Sequence, residues 1–236
     1  MFSGSALGSV LAAALVFALP GQAAPKQMMK RSTPDLSLTA QLQIADTAID
    51  RYKLLPKDED FVFDFTNSKA PFANRQTFPA LVGSGMSISS KELPACSMAY
   101  LHLHPRATEV FVLNSGRVLT QMVPEVGVLD SEGRPRVIHT ELHAGMATIF
   151  PAGSFHTQVN PDCESANFTA ALSAEDFGIG LVANQVFSLS DDVISASFGE
   201  SIAGEDIDKV RHAIPGDVVI KVEECLSKCG KHKRHA

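Results

Sequence analysis

Three histidines and one glutamate constrain this chain more than any other feature: His102-Leu103-His104, then Glu109, and much later His156. Residues two apart on a strand point to the same face, so His102 and His104 aim at one point. Pro105 breaks that strand, and the turn Pro105-Arg106-Ala107-Thr108 brings Glu109 back at the head of the next. Val110-Phe111-Val112-Leu113 continues the second strand, and Asn114-Ser115-Gly116 closes it with turn chemistry. Three imidazoles and a carboxylate form a donor set for a divalent metal, so the strands that carry them have to meet.

The other half of the constellation runs from Gly145 to Asn160. It reads as a short apolar strand, a tight corner at Pro151 and Gly153, and a strand that begins with His156. Here the chain resembles the germin-like proteins of the cupin superfamily. His102 to Gly116 matches the first cupin motif: HxH, four residues, Glu, six residues, Gly. Gly145 to Asn160 matches the second: Gly, five residues, Pro-x-Gly, two residues, His, three residues, Asn. A lone HxH carries little information; both motifs in order carry a great deal. Two positions depart from the pattern. Cys96 stands six residues before His102, where the family often has Gly. Ala99 stands three before His102, where oxalate-oxidising germins have Asn.

The resemblance implies a mainly β protein, a cupin jelly-roll β-barrel with an N-terminal helix and C-terminal helices. It implies a metal held by His102, His104, Glu109 and His156. Mn(II) is the metal it points to, although the ligands alone suit Fe, Zn, Cu or Ni as well. In six-coordinate geometry two positions stay open to a small anion or dioxygen, unlike a closed structural site. Oxalate oxidase and superoxide dismutase activities occur in the family. Ala99 removes one polar grip on oxalate, for which Ser87, Ser89 or Asn160 are the candidate replacements. Superoxide asks less of a pocket, so it ranks ahead. The rival reading is a non-catalytic wall, storage or stress protein. The resemblance also implies a homo-oligomer, a hexamer of three dimers whose C-terminal helices pack between subunits. No catalytic residue beyond the ligands is identified. His139 and His143 lie between the motifs with nothing to tie them to the metal, and Phe111, Phe150 and Phe155 are read as core or pocket wall.

A net charge of −6 argues against nucleic acid as a partner. Val10 to Leu19 has the length of a signal-peptide h-region and is too short to span a bilayer. Gly21-Gln22-Ala23 supplies small residues for cleavage, so the expected location is extracellular or the cell wall, with no membrane partner. Lys30-Arg31 is either a processing site or a solvated linker. A secreted chain with four cysteines is expected to form disulfides. Cys96 and Cys163 flank the two ligand strands and are expected to pair. Cys225 and Cys229 are four apart in an expected helix, where Cβ atoms lie about 5–6 Å apart, against roughly 3.5–4.5 Å in a disulfide. They pair only if the last turn unwinds; a soft metal site is the alternative. Asn167-Phe168-Thr169 is a glycosylation sequon at the start of an expected strand.

Five segments result: a signal peptide (1–23), a linker and helix (24–56), the barrel (57–189), a helical segment (190–228) and a basic tail (229–236). Leu38, Leu42, Ala45, Ile49 and Tyr52 predict an amphipathic helix over roughly 35–54. From Phe61 the pattern alternates, and strands are expected near 79–83, 85–90, 97–104, 109–113, 117–123, 136–142, 146–150, 156–159, 167–173 and 183–187. Helices are expected from Ser190, around Ile207 to Ile214, and from Asp217 with Val218, Val222 and Cys225 on one face.

Overall fold

Two antiparallel sheets face each other, and the alternation of apolar and polar residues along each strand is what closes them. The structure is a computed structural model and describes residues 35–230. The signal-peptide reading, Lys30-Arg31 and residues 231–236 of the tail lie outside the described residues. The strands are β1 Ser87–Leu93, β2 Ser97–Leu103, β3 Glu109–Ser115, β4 Arg117–Val123, β5 Ile138–His143, β6 Ala147–Phe150, β7 Phe155–Asn160, β8 Ala166–Leu172, β9 Gly180–Leu181 and β10 Val219–Lys221. One sheet has the order β1-β8-β3-β6; the other runs β10-β2-β7-β4-β5, with β9 also on β2. This is the expected cupin jelly roll. On β3, Glu109, Phe111 and Leu113 turn inward and are buried, while Val110 between them is 40% exposed. Phe111, Leu113, Val118, Leu142 and Phe150 fill the space between the sheets. Each such side chain stabilises the fold by about 1.5–3 kcal/mol.

Tight corners make the motif glycines necessary. Gly116 has φ +85°, and a Cβ there would lie 2.9 Å from Ala166 Cα. Any other residue at Gly116 would push β3 and β4 away from β8.

Several expected elements take another form. The run 79–83 is a 3₁₀ turn, Pro79–Leu81, because Pro79 presets a turn and supplies no N–H to a ladder. Phe61 ends a 3₁₀ turn instead of opening a strand, and Phe63 meets Phe65 edge-on at 4.8 Å and Phe78 at a tilt at 5.7 Å. The N-terminal helix is two: α1 Leu38–Ile44 and α2 Ala48–Leu54. Thr47 accepts from Asp50 N and so caps a new helix. The apolar stripe is therefore broken; Leu42 is buried, but Ile49 and Tyr52 are 69% and 63% exposed. Residues 183–187 belong to a helix, α3 Val182–Phe187, held by Asn184 Nδ2 donating to Pro215 O at 3.0 Å.

In the C-terminal segment, α4 Asp191–Ser197 starts after Ser190, and α5 Glu205–Ala213 buries Ile207 as expected. The third expected helix is split. Val219–Lys221 is strand β10, pairing Val219 with Ala99, and only then does α6 Glu223–Lys228 begin. The β-branched run Val218-Val219-Ile220 finds a strand edge to pair with, and pairing outweighs a helical stripe. No helix among the described residues is long and apolar enough to cross a membrane.

The expected Cys96–Cys163 pairing is corrected. Cys96 bonds to Cys225, and Cys163 bonds to Cys229. The two barrel cysteines do lie on adjacent segments, since Cys96 N donates to Asp162 O at 3.0 Å. Helix α6 lies over both, and its two cysteines, one turn apart, each reach a different partner. The Cys96 and Cys229 sulfurs are also 3.4 Å apart, so the disulfides form one cluster. Cys96 has φ +51°. That left-handed backbone accounts for the glycine that germin-like chains often carry at this place.

Candidate metal centre

A β-bulge assembles the site. In the β2–β7 ladder Ala99 pairs with Gln158 and His102 with His156, so β2 advances three residues while β7 advances two. The extra residue reverses the parity of β2. Ala99, His102 and His104 all face the interior, although a straight strand would put Ala99 on the opposite face from the histidines. Glu109 enters from β3 and His156 from β7. All four side chains are buried, at 5%, 4%, 4% and 1% exposure for His102, His104, Glu109 and His156. One ligand atom from each lies within 4.8 Å of every other.

Each imidazole is oriented by a backbone carbonyl. His102 Nδ1 donates to Tyr100 O at 2.6 Å, His104 Nδ1 to Gly178 O at 2.7 Å and His156 Nδ1 to Ser154 O at 2.9 Å. A carbonyl can only accept, so every Nδ1 carries the proton and every Nε2 faces the centre. Gly178 has φ +66°, and a Cβ there would meet Pro105 Cγ at 2.9 Å, so only glycine brings this carbonyl to His104. Phe150 stacks on the His156 ring at 4.3 Å and 8°, and Phe177 meets His104 edge-on at 5.3 Å. The rings have little room to turn.

Glu109 Oε2 lies 2.9 Å from His104 Nε2 and 3.3 Å from His156 Nε2. With Nδ1 protonated, a neutral imidazole presents a lone pair to the carboxylate. Lone pair against lone pair is stable only with a cation between them, a shared proton or a metal ion. Ligand atoms about 2.1 Å from one metal and at right angles lie about 3 Å apart, so the donor set fits a metal. Burial, with the His156 charge next, lowers the His102 pKa to about 4, which keeps that ligand neutral. Burial alone would raise Glu109, but the hydrogen bonds made by a proton shared with His104 and His156 outweigh it and hold its pKa at about 2, keeping the carboxylate ionised.

His102, His104 and Glu109 border a cavity of about 300 Å³. Gln158, 3% exposed, lines it, and its Oε1 has no hydrogen-bond partner among the described residues. The sequence reading did not single out Gln158. Its signal was there: two residues after His156, it shares that ligand's face. The polar residues expected to grip an anion are otherwise engaged. Ser87 Oγ donates to Ala174 O at 2.8 Å, Ser89 Oγ to Pro71 O at 3.1 Å, and Asn160 Nδ2 to Glu164 O at 2.8 Å. Asn160 thus closes a corner. His139 is exposed on β5, and His143 faces solvent beside Glu141 at 3.4 Å. Phe111 and Phe150 are core, but Phe155 points outward at 42% exposure. Asn167 is exposed on β8, with Nδ2 donating to Ser115 Oγ at 3.0 Å.

Residues 53–206 match the cupin family. Spherulin-1A of Physarum polycephalum is 36% identical over 203 residues, 82% of this chain and 79% of that protein. Germin-like protein 8-2 of Oryza sativa subsp. japonica is 32% identical over 136 residues, 56% of this chain and 59% of that protein. Among solved structures, a recombinant oxalate oxidase in complex with glycolate superposes with a TM-score of 0.57 at 18% identity, over 68% of this chain and 83% of that one. That likeness concerns the fold. With both motifs in place and an extended match to the spherulins, this chain belongs to the cupin family.

Proposed function

We propose that this cupin binds one divalent metal through the Nε2 atoms of His102, His104 and His156 and a carboxylate oxygen of Glu109, and that it acts as an oxidoreductase on a small anion. The observation that carries the reading is the set of three Nδ1–H bonds to carbonyls, which leaves three Nε2 lone pairs for one centre, two of them against the Glu109 carboxylate. The germin-like resemblance favours Mn(II). Such a metal supplies a redox couple and a Lewis acid with open positions. The protein contributes three neutral donors and one negative charge, leaving +1 on a divalent ion, which attracts an anion into the cavity. The carbonyls of Tyr100, Gly178 and Ser154 keep the ligand rings from turning. Apolar walls exclude water, and Gln158 is the uncommitted polar group beside the ligands. Superoxide ranks ahead of oxalate, because Ala99, Ser87, Ser89 and Asn160 offer no grip on a second carboxylate. Two disulfides support export to an oxidising compartment, in line with the h-region at Val10 to Leu19.

The test is metal analysis of the purified protein, with superoxide and oxalate assays on the same sample. Wild type is expected to hold about one metal per chain. His104→Ala and Glu109→Ala are expected to lose most of it; full occupancy in both would overturn the ligand assignment. Hydrogen peroxide from oxalate without superoxide dismutation would reverse the ranking. Neither activity would assign the metal a structural role in an extracellular protein. Native mass on that preparation tests the hexamer, and a mass equal to one chain would refute it.

A further inference from the structure

The cavity is larger and more apolar than superoxide or oxalate requires, and its polarity is arranged along an axis. Strand register sets that axis. Glu109 pairs with Leu172 at the ligand level, Phe111 with Ala170 one layer on, and Leu113 with Phe168 beyond that. On the opposite sheet His102 pairs with His156, and the next inward pair is Ala99 with Gln158, flanked by Val219. From the Leu172 layer to the Phe168 layer is four residues, about 13 Å. Below the rim, the uncommitted polarity sits at one end, in His102, His104, Glu109 and Gln158. Past Gln158 the walls are Ala99, Ala170, Phe168, Leu93, Val218 and Val219. The one hydroxyl there, Ser89, is bonded to Pro71 O. At the rim Lys91 and Glu92 are exposed and cancel in charge.

We infer that this cavity takes an organic acid with a chelating pair of oxygens at one end and an apolar body of several carbons at the other, such as a medium-chain 2-hydroxy acid. The inference rests on the metal reading above, but not on which anion reacts. A chelating carboxylate and adjacent oxygen suit two open positions on a centre of charge +1. Gln158 lies one layer from the ligands, beside the head group, where its unpaired amide oxygen accepts the hydroxyl proton. A space of 300 Å³ holds the volume of roughly ten waters, so a two-carbon acid leaves most of it unfilled. Apolar walls gain from a hydrocarbon body instead. Ala99 and Ala170, small residues in the middle layer, keep the passage open.

The experiment is calorimetric titration of the metal-loaded full chain with 2-hydroxy acids from glycolate to 2-hydroxyoctanoate, with oxalate and octanoate alongside. Affinity is expected to rise by up to about fourfold per methylene, and to at least fiftyfold over the series. Octanoate, lacking the second oxygen, is expected to bind at least tenfold more weakly than 2-hydroxyoctanoate. Ala170→Leu and Ala99→Ile, which fill the middle layer, are expected to erase the chain-length effect while leaving metal content unchanged. A flat series on wild type, or tighter binding of oxalate than of 2-hydroxyoctanoate, would overturn the inference whether or not the variants fold. Metal content separates the failures. A loaded protein with a flat series overturns this inference alone, and a protein that takes up no metal overturns it together with the reading beneath it.

Discussion

Cys96 occupies a backbone position that favours glycine, and the cost of that choice can be measured. Its φ of +51° carries a steric penalty of roughly 1–2 kcal/mol for any residue with a Cβ. The bond to Cys225 offsets the penalty. The two cysteines are 129 residues apart in sequence. With the Cys163–Cys229 bond intact the closed loop shortens to about 70 residues, for which chain entropy gives about 4–5 kcal/mol. Two double variants isolate the backbone effect, because both lack the disulfide: Cys96→Ala with Cys225→Ala, and Cys96→Gly with Cys225→Ala. The alanine variant is expected to lose about 5 kcal/mol relative to wild type. The glycine variant regains the steric penalty and gives back part of it through the freedom of glycine in the unfolded chain, leaving it about 1 kcal/mol more stable than the alanine variant. Urea unfolding under non-reducing conditions reads this as a midpoint about 0.3–0.5 M higher. Alanine usually stabilises a chain relative to glycine, so the sign is diagnostic. An alanine variant equal to or more stable than the glycine variant would refute the account of why the germin-like pattern has glycine here.

Acid should weaken the metal-free protein. His102 is held near pKa 4 against an ordinary 6.5, so as pH falls the unfolded chain takes up that proton before the folded one. Stability is therefore present above about 6.5 and is lost as pH drops towards 4, by up to about 3 kcal/mol. Glu109, held at about 2 against 4.5, extends the loss below pH 4.5. For metal-stripped protein, equal urea midpoints at pH 7 and pH 4.5 would contradict the His102 effect, and equal midpoints at pH 4.5 and pH 3 would contradict that of Glu109. Asn167 is exposed on the outer face of β8, so protein secreted from a eukaryotic host is expected to carry a glycan there. Intact mass of wild type and Asn167→Gln, identical after allowing for the substitution, would exclude it.

What could be read in advance depended on which group carries the information. The four ligands were legible because side-chain type and strand parity are both written in the sequence: HxH needs only period two, and Pro105 and Pro151 mark the corners. The bulge between Ala99 and His102 was not legible, because it is a property of the ladder, and an unbroken strand would fit the same letters. The carbonyls of Tyr100, Gly178 and Ser154 carry no side-chain signature at all; only Gly178 leaves a trace, in a position no other residue can fill. The disulfides and β10 failed together for one reason. Val218, Val222 and Cys225 make an acceptable helical stripe locally, and the edge of β2 that claims Val219 is more than a hundred residues away in sequence. Once β10 pairs there, Val222 N bonds Cys96 O at 2.8 Å, which sets α6 above Cys96 and decides the cysteine pairing. The same step puts Val218 and Val219 into the wall of the cavity. The C-terminal segment thus reaches the candidate site through backbone pairing, and the covalent bonds fasten an arrangement that the strand has already chosen.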